Sequence, residues 1–152
     1  MTEHLIFRTQ HWSVSHRRDA RYPGYLMVSS HSQSADLYEL NNESLAELGI
    51  VLKQVELLLR KAYTPLKVVF YKLGFSPGFS CHFHVAPVTS ALLAEVAHHP
   101  GYVDVPDGND VILFLSRVYC ERELITEEQD EQQATIRRLR EQWQDLSPSL
   151  HR

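Results

Sequence analysis

Cysteine is scarce in this 152-residue chain: Cys81 and Cys120 stand apart, with no Cys-x-x-Cys spacing. That argues against a disulfide framework and for a reduced, intracellular protein. An excess of positive charge is also missing. Lys and Arg number 15 against 19 Asp and Glu, a formal net charge of −4. This argues against non-specific nucleic-acid binding, although a phosphate ligand stays open because local donors decide that. No apolar run is long enough to cross a bilayer. Met1-Thr2-Glu3-His4 has no basic stretch leading into a long apolar one, so no signal peptide is expected. Repeats and low-complexity runs are absent. What is present is ordinary for a globular protein: 43% hydrophobic and 22% charged residues. Residues 1–152 are therefore expected to form one cytoplasmic domain, with no nucleic-acid and no membrane partner.

Leu5-Ile6-Phe7, Trp12-Ser13-Val14 and Tyr25-Leu26-Met27-Val28 read as strands, with a charged loop at 16–21 and a Tyr22-Pro23-Gly24 turn. Asn41 or Asn42 can cap a long helix whose apolar stripe is Leu45, Leu48, Leu52, Val55 and Leu59; Pro65 closes it. Val68-Val69-Phe70-Tyr71 is a further strand. It is expected to pair as an antiparallel hairpin with the strand at 80–87. A short helix is expected at 89–96. Val111 to Leu115 reads as a buried or interfacial strand. Thr126 with Gln129 resembles a capping box, opening a charged helix that runs to about Trp143. The narrow stripe of Ile136, Leu139 and Trp143 suggests that this helix packs late or on a second subunit.

The chemistry concentrates in Ser80-Cys81-His82-Phe83-His84-Val85-Ala86-Pro87. Strand alternation puts Ser80, His82 and His84 on one face, and Cys81, Phe83 and Val85 on the other. Three readings are open. The histidines are structural. Or they share a metal ion, which requires a third ligand; His31, His98, His99, Asp104 and Asp107 are available without a recognisable spacing. Or one imidazole is a nucleophile toward a phosphate ester. A neutral ring can attack near neutral pH if an acceptor such as a backbone carbonyl holds its other nitrogen. A second imidazole and a hydroxyl beside it can then stabilise the phosphate oxygens.

His82-Phe83-His84-Val85-Ala86-Pro87 resembles the histidine triad family, whose motif alternates three histidines with apolar residues and is often followed by proline. Pro87 sets the register. His84 matches the third triad position, His82 the second, and Ser80 stands at the first. Tyr22-Pro23-Gly24-Tyr25-Leu26-Met27-Val28 is similar to the family's Pro-Gly-His strand. Leu37-Tyr38-Glu39-Leu40 before the long helix looks like its strand-to-helix passage. The resemblance covers roughly 12–87. It implies an α+β fold: an antiparallel sheet of about five strands with a long helix packed on it, and a homodimer made by joining sheets. The Val111–Leu115 run and the C-terminal helix are then candidate interface pieces.

The same resemblance implies a nucleotide hydrolase or nucleotidyl transferase that forms a nucleotidyl-histidine intermediate on His82. His84 and Ser80 hold phosphate oxygens. The substrate is a dinucleoside polyphosphate or nucleoside phosphoramidate, and no cofactor is required beyond Mg²⁺ arriving with it. Two alternatives stay open: a nucleotide-binding module without catalysis, and a metal-binding protein using His82 and His84. The departures are specific. Ser80 replaces a histidine, and so does Tyr25, which suggests a Tyr25–Ser80 contact. Phe75-Ser76-Pro77 stands where relatives often carry a phosphate-binding hydroxyl. Gly74 and Gly78 either let backbone approach the phosphate or belong to a plain hairpin turn; both readings are open. Arg17 can reach a distal phosphate or be solvated loop charge, His31 can border the site or be an exposed loop histidine, and Phe7, Trp12 and Leu26 are candidates for a base-binding slot or for the core.

Overall fold

The computed structural model describes residues 3–102 and 105–150. Along the chain come β1 (Leu5–Arg8), β2 (Trp12–His16), β3 (Leu26–Ser30), α1 (Asn42–Tyr63), β4 (Lys67–Tyr71), β5 (His82–Val88), α2 (Ser90–His98), α3 (Gly108–Phe114) and α4 (Thr126–Leu150). The strands form one antiparallel sheet in the order β1-β2-β3-β5-β4. This is the expected α+β architecture, with the expected hairpin between β4 and β5. Met1, Thr2 and Asp104, which the sequence reading touched, lie outside the described residues.

Both sheet faces are covered, and the pleat decides by what. Val14, Leu26, Val28 and Val85 are fully buried on one face, against Val51, Val55, Leu58 and Leu59 of α1 and Ile136 and Leu139 of α4. On the other face Tyr25 and Ala86 pack with Leu92 and Val96 of α2 and with Val111, Phe114 and Leu115. This second layer stops short of the β5 N-terminus, where His82 emerges. α1 starts where Asn41 accepts the Ser44 N–H at 2.8 Å. It ends at Thr64, whose φ of +46° is left-handed; Pro65 behind it disfavours a further helical residue.

Three expectations are corrected. Residues 111–115 are not a strand. Asp107 and Asp110 form a reciprocal capping box that starts α3, and a π-helical turn at Leu115–Tyr119 continues it. Val111, Phe114 and Leu115 point into the second core, while Leu113 is 43% exposed. α4 packs within its own chain: Ile136 and Leu139 are fully buried, and the Trp143 ring stacks on Phe7 at 3.7 Å. Its start lies one residue earlier in register than expected, because the Glu128 side chain accepts the Ile125 N–H at 3.0 Å.

Candidate functional site

The register of the sheet centre places the two histidines. Ser29 lies opposite His82, and Met27 opposite His84, across β3; Tyr71 lies opposite His84 across β4. The rings of His82 and His84 are 5.2 Å apart, centroid to centroid. They border a cleft of about 520 Å³. Its other walls are the 17–19 loop and the long connection from β4 to β5. Gln132 of α4 props the first of these loops by donating to the carbonyls of Arg17 and Arg18, both at 3.0 Å.

His82 is held at one nitrogen. Its Nδ1 lies 2.8 Å from the Ser80 carbonyl oxygen. A carbonyl only accepts, so Nδ1 carries the hydrogen and Nε2 carries the lone pair. No protein group among the described residues is hydrogen-bonded to that Nε2. Phe79 meets the ring edge-on at 6.1 Å.

His84 is buried and differently held. Its Nδ1 is 2.8 Å from the Tyr25 hydroxyl. That hydroxyl also meets the Tyr71 hydroxyl and accepts from Arg17 Nη1 at 2.9 Å. The Tyr71 ring stacks on His84 at 4.7 Å and 7°. Arg17 is fixed by Asp19, which accepts from its Nε at 2.7 Å. Burial pushes the His84 imidazole down to about 4, and the Arg17 charge and His82 push the same way. His84 is therefore neutral across the physiological range.

The remaining site candidates divide. Ser80, Arg17 and Gly74 line the cleft with His82 and His84. Ser80 itself lies just before β5, so the strand expected at 80–87 begins at His82. His31 and Gly78 border an adjoining recess, which also reaches Ser80 and Phe79. His31 is engaged there by the Ser13 hydroxyl at 2.8 Å and the Gln10 carbonyl at 3.0 Å. The expected Tyr25–Ser80 contact is replaced by Tyr25–His84. Tyr25 stands one residue beyond the Leu26–Val85 pair, at the far end of β5 from Ser80. Phe7, Trp12 and Leu26 are buried core residues under α1 and α4 and form no slot. The sequence reading passed over Tyr71, Asp19, Met27 and Ser29. Alternation from Tyr25 marks Met27 and Ser29, and the hairpin register marks Tyr71. Among the described residues no group of three or more His, Cys, Asp or Glu is placed to hold a metal ion, so His82 and His84 lack a third ligand. His98 and His99 sit at the end of α2, away from the cleft.

No protein-family model matches the chain, and no curated protein matches it. Solved structures do match. A hypothetical histidine triad nucleotide-binding protein from Sulfolobus tokodaii superposes with a TM-score of 0.62 at 19% identity, over 94% of this chain and 85% of that one. A zinc-bound histidine triad family protein from Mycobacterium smegmatis gives 0.59 at 16% identity, over 95% and 86%. The diadenosine triphosphate hydrolase of Plasmodium falciparum gives 0.58 at 9% identity, over 94% and 80%. At these identities the likeness is one of fold, and it extends over nearly the whole chain.

Proposed function

Taking a chain with the histidine triad fold as premise, we propose that it is a nucleotide hydrolase or nucleotidyl transferase acting at the α-phosphate of a nucleotide conjugate. One observation carries this reading. His82 donates its Nδ1–H to the Ser80 carbonyl at 2.8 Å and borders an open cleft, so Nε2 is the nitrogen with a lone pair to offer. In the proposed reaction Nε2 attacks the α-phosphorus. A P–N bond forms, and the bond from phosphorus to the leaving oxygen or nitrogen breaks; the leaving group takes the electron pair and then a proton. Water next attacks phosphorus, the P–N bond breaks, and a nucleoside monophosphate departs with one proton lost to solvent. His84, Ser80 and backbone N–H groups of the 74–79 loop hold the phosphate oxygens. Arg17 faces a distal phosphate. Mg²⁺ enters only with the substrate.

The cleft also supports a planar ring in the substrate. Leu73, Phe75 and Phe79 overhang its polar floor, and Phe75 is 98% exposed. Apolar groups left standing beside convergent polar ones suit a base or an aromatic leaving group. Dinucleoside polyphosphates and nucleoside phosphoramidates are the substrate types proposed. The names of two structural neighbours, one nucleotide-binding and one a diadenosine triphosphate hydrolase, are consistent with this. The same reading has the chain act as a homodimer, through the β4 edge left by the strand order. It also places the chain in the cytoplasm, as its two unpaired cysteines suggest.

Incubation with an adenylyl donor labelled at the α-phosphate tests the proposal. The expected result is a protein-bound label that is acid-labile and alkali-stable, and absent from His82→Ala. Equally slow hydrolysis by wild type and His82→Ala, with nucleotide binding retained, would instead favour a binding module without catalysis. Stoichiometric zinc in the untagged protein, lost in His82→Ala, would favour a metal site.

A further inference from the structure

We propose that Tyr25 is a positioning residue that fixes His84 in the tautomer opposite to that of His82. The site then presents a nitrogen lone pair and an N–H side by side. The catalytic use of this pair rests on the reading of the site given above; the tautomers do not.

The hydrogen count carries the inference. A tyrosine hydroxyl has one hydrogen and two lone pairs. Arg17 Nη1 can only donate, so it takes one lone pair of the Tyr25 oxygen. The other two partners are the Tyr71 hydroxyl and His84 Nδ1. Two arrangements are possible. In one, Tyr25 donates to His84 Nδ1 and accepts from Tyr71. In the other, His84 Nδ1–H donates to Tyr25, and Tyr25 donates to Tyr71. The second leaves the hydrogen of Tyr71 without a protein acceptor, since Tyr25 is the one hydrogen-bond partner of that hydroxyl among the described residues. Trading a bond inside the cluster for none there is the less favourable choice in a half-buried position. The first arrangement gives both hydroxyl hydrogens an acceptor within the cluster and leaves only the His84 Nε2–H, on the side of the cleft that His84 lines.

Acidity points the same way. The Arg17 guanidinium donates to the Tyr25 oxygen and lies 4.9 Å from the ring centroid. A cation so placed makes the hydroxyl a better donor, and an imidazole lone pair is a better acceptor than a phenol oxygen. Burial raises the Tyr25 hydroxyl above its ordinary value, with Tyr71 and Arg17 partly offsetting this, so the hydroxyl keeps its hydrogen. Burial likewise keeps His84 from taking a second proton. With Nδ1 accepting, the one hydrogen of the neutral ring sits on Nε2, the nitrogen left for the cleft. Tyr71, stacked on the ring, holds its plane.

His84 thus becomes a neutral hydrogen-bond donor to a non-bridging phosphate oxygen, 5.2 Å from the ring of the nucleophile. No proton has to move for it to act.

Long-range ¹⁵N–¹H spectra of the uniformly labelled wild type at ~pH 7.5 read each ring's tautomer directly, without any variant. The expected patterns are Nδ1–H for His82 and Nε2–H for His84. An Nδ1–H pattern for His84 overturns the inference. Tyr25→Phe, which keeps the ring and removes the hydroxyl, is expected to give His84 a mixed or reversed pattern. It is also expected to lower kcat about tenfold or more with KM changed less than about threefold, since a mis-set donor loses transition-state stabilisation. An unchanged His84 pattern in a folded Tyr25→Phe protein overturns the inference as well. If Tyr25→Phe does not fold, the wild-type spectrum alone decides. If the wild type forms no nucleotidyl adduct, the proposed function falls while the spectra still decide the tautomers.

Discussion

Gly24 holds the turn from which Tyr25 is launched. Its φ is +86°, and a Cβ there would stand 2.6 Å from Cε2 of Tyr63 and 3.2 Å from Cγ of Pro87. Its N–H donates to Nε2 of the buried His16 at 3.1 Å. His16 in turn donates from Nδ1 to the Arg17 carbonyl at 3.0 Å, so the turn and the Arg17 loop are tied through one imidazole. Gly24→Ala meets both a left-handed backbone and a ring that must move. It is expected to cost about 2–4 kcal/mol in urea unfolding. The cost is expected to appear together with weakened nucleotide binding, because Tyr25 follows directly. A loss under about 1 kcal/mol would mean that Tyr63 swings aside freely and that the glycine is incidental.

Among elements, α3 separates what the sequence made legible from what it hid. Asp107 accepts the Asp110 N–H at 3.0 Å, and Asp110 accepts the Asp107 N–H at 2.9 Å. Asp107→Ala is expected to lower stability by about 1 kcal/mol, the usual cost of a lost cap, and to loosen the layer over Ala86 and Tyr25. Thermal unfolding checks the first effect and hydrogen exchange at 111–115 the second; no change in either would mean that packing alone holds the helix. The run Val111 to Leu115 is apolar at every position, so its composition carries no period, and β-branched Val111 and Ile112 bias it toward a strand. The signal that mattered was the Asp-x-x-Asp box in front of it, which looks like a turn when read residue by residue. β4 was legible from its β-branched and aromatic run, β5 from its alternation and flanking turn residues, and α1 from its helical stripe. The His82–Ser80 carbonyl contact was legible as a chemical requirement. The Tyr25–His84–Tyr71 cluster was not, because it depends on the register between three strands, and one sequence does not print the register.

At the scale of the molecule, the sheet carries a buried imidazole on each face, and this sets its response to acid. His16 lies under α4, 3% exposed, and His84 lies at the edge of the second layer, 8% exposed. Burial lowers each to about 4, from an ordinary 6.5. For His16 the bond to the Arg17 carbonyl opposes the shift, and for His84 the Arg17 charge adds to it. Below pH 6.5 the unfolded chain takes up two protons that the folded chain refuses, so stability falls as pH drops, until the folded rings protonate near 4. Each ring contributes about 3 kcal/mol to that loss, and the slope approaches about 2.7 kcal/mol per pH unit near the middle of the window. A total of about 6 kcal/mol is comparable to the whole stability of a small domain, so acid unfolding is expected inside this window rather than below it. Urea titrations at intervals from pH 8 to 4 measure the slope directly. His84→Gln removes one of the two groups and is expected to halve the slope, leaving the loss due to His16. A profile flat through this window in the wild type would show that both rings accept protons in the folded state. It would also mean that burial does not keep His84 neutral below its ordinary range.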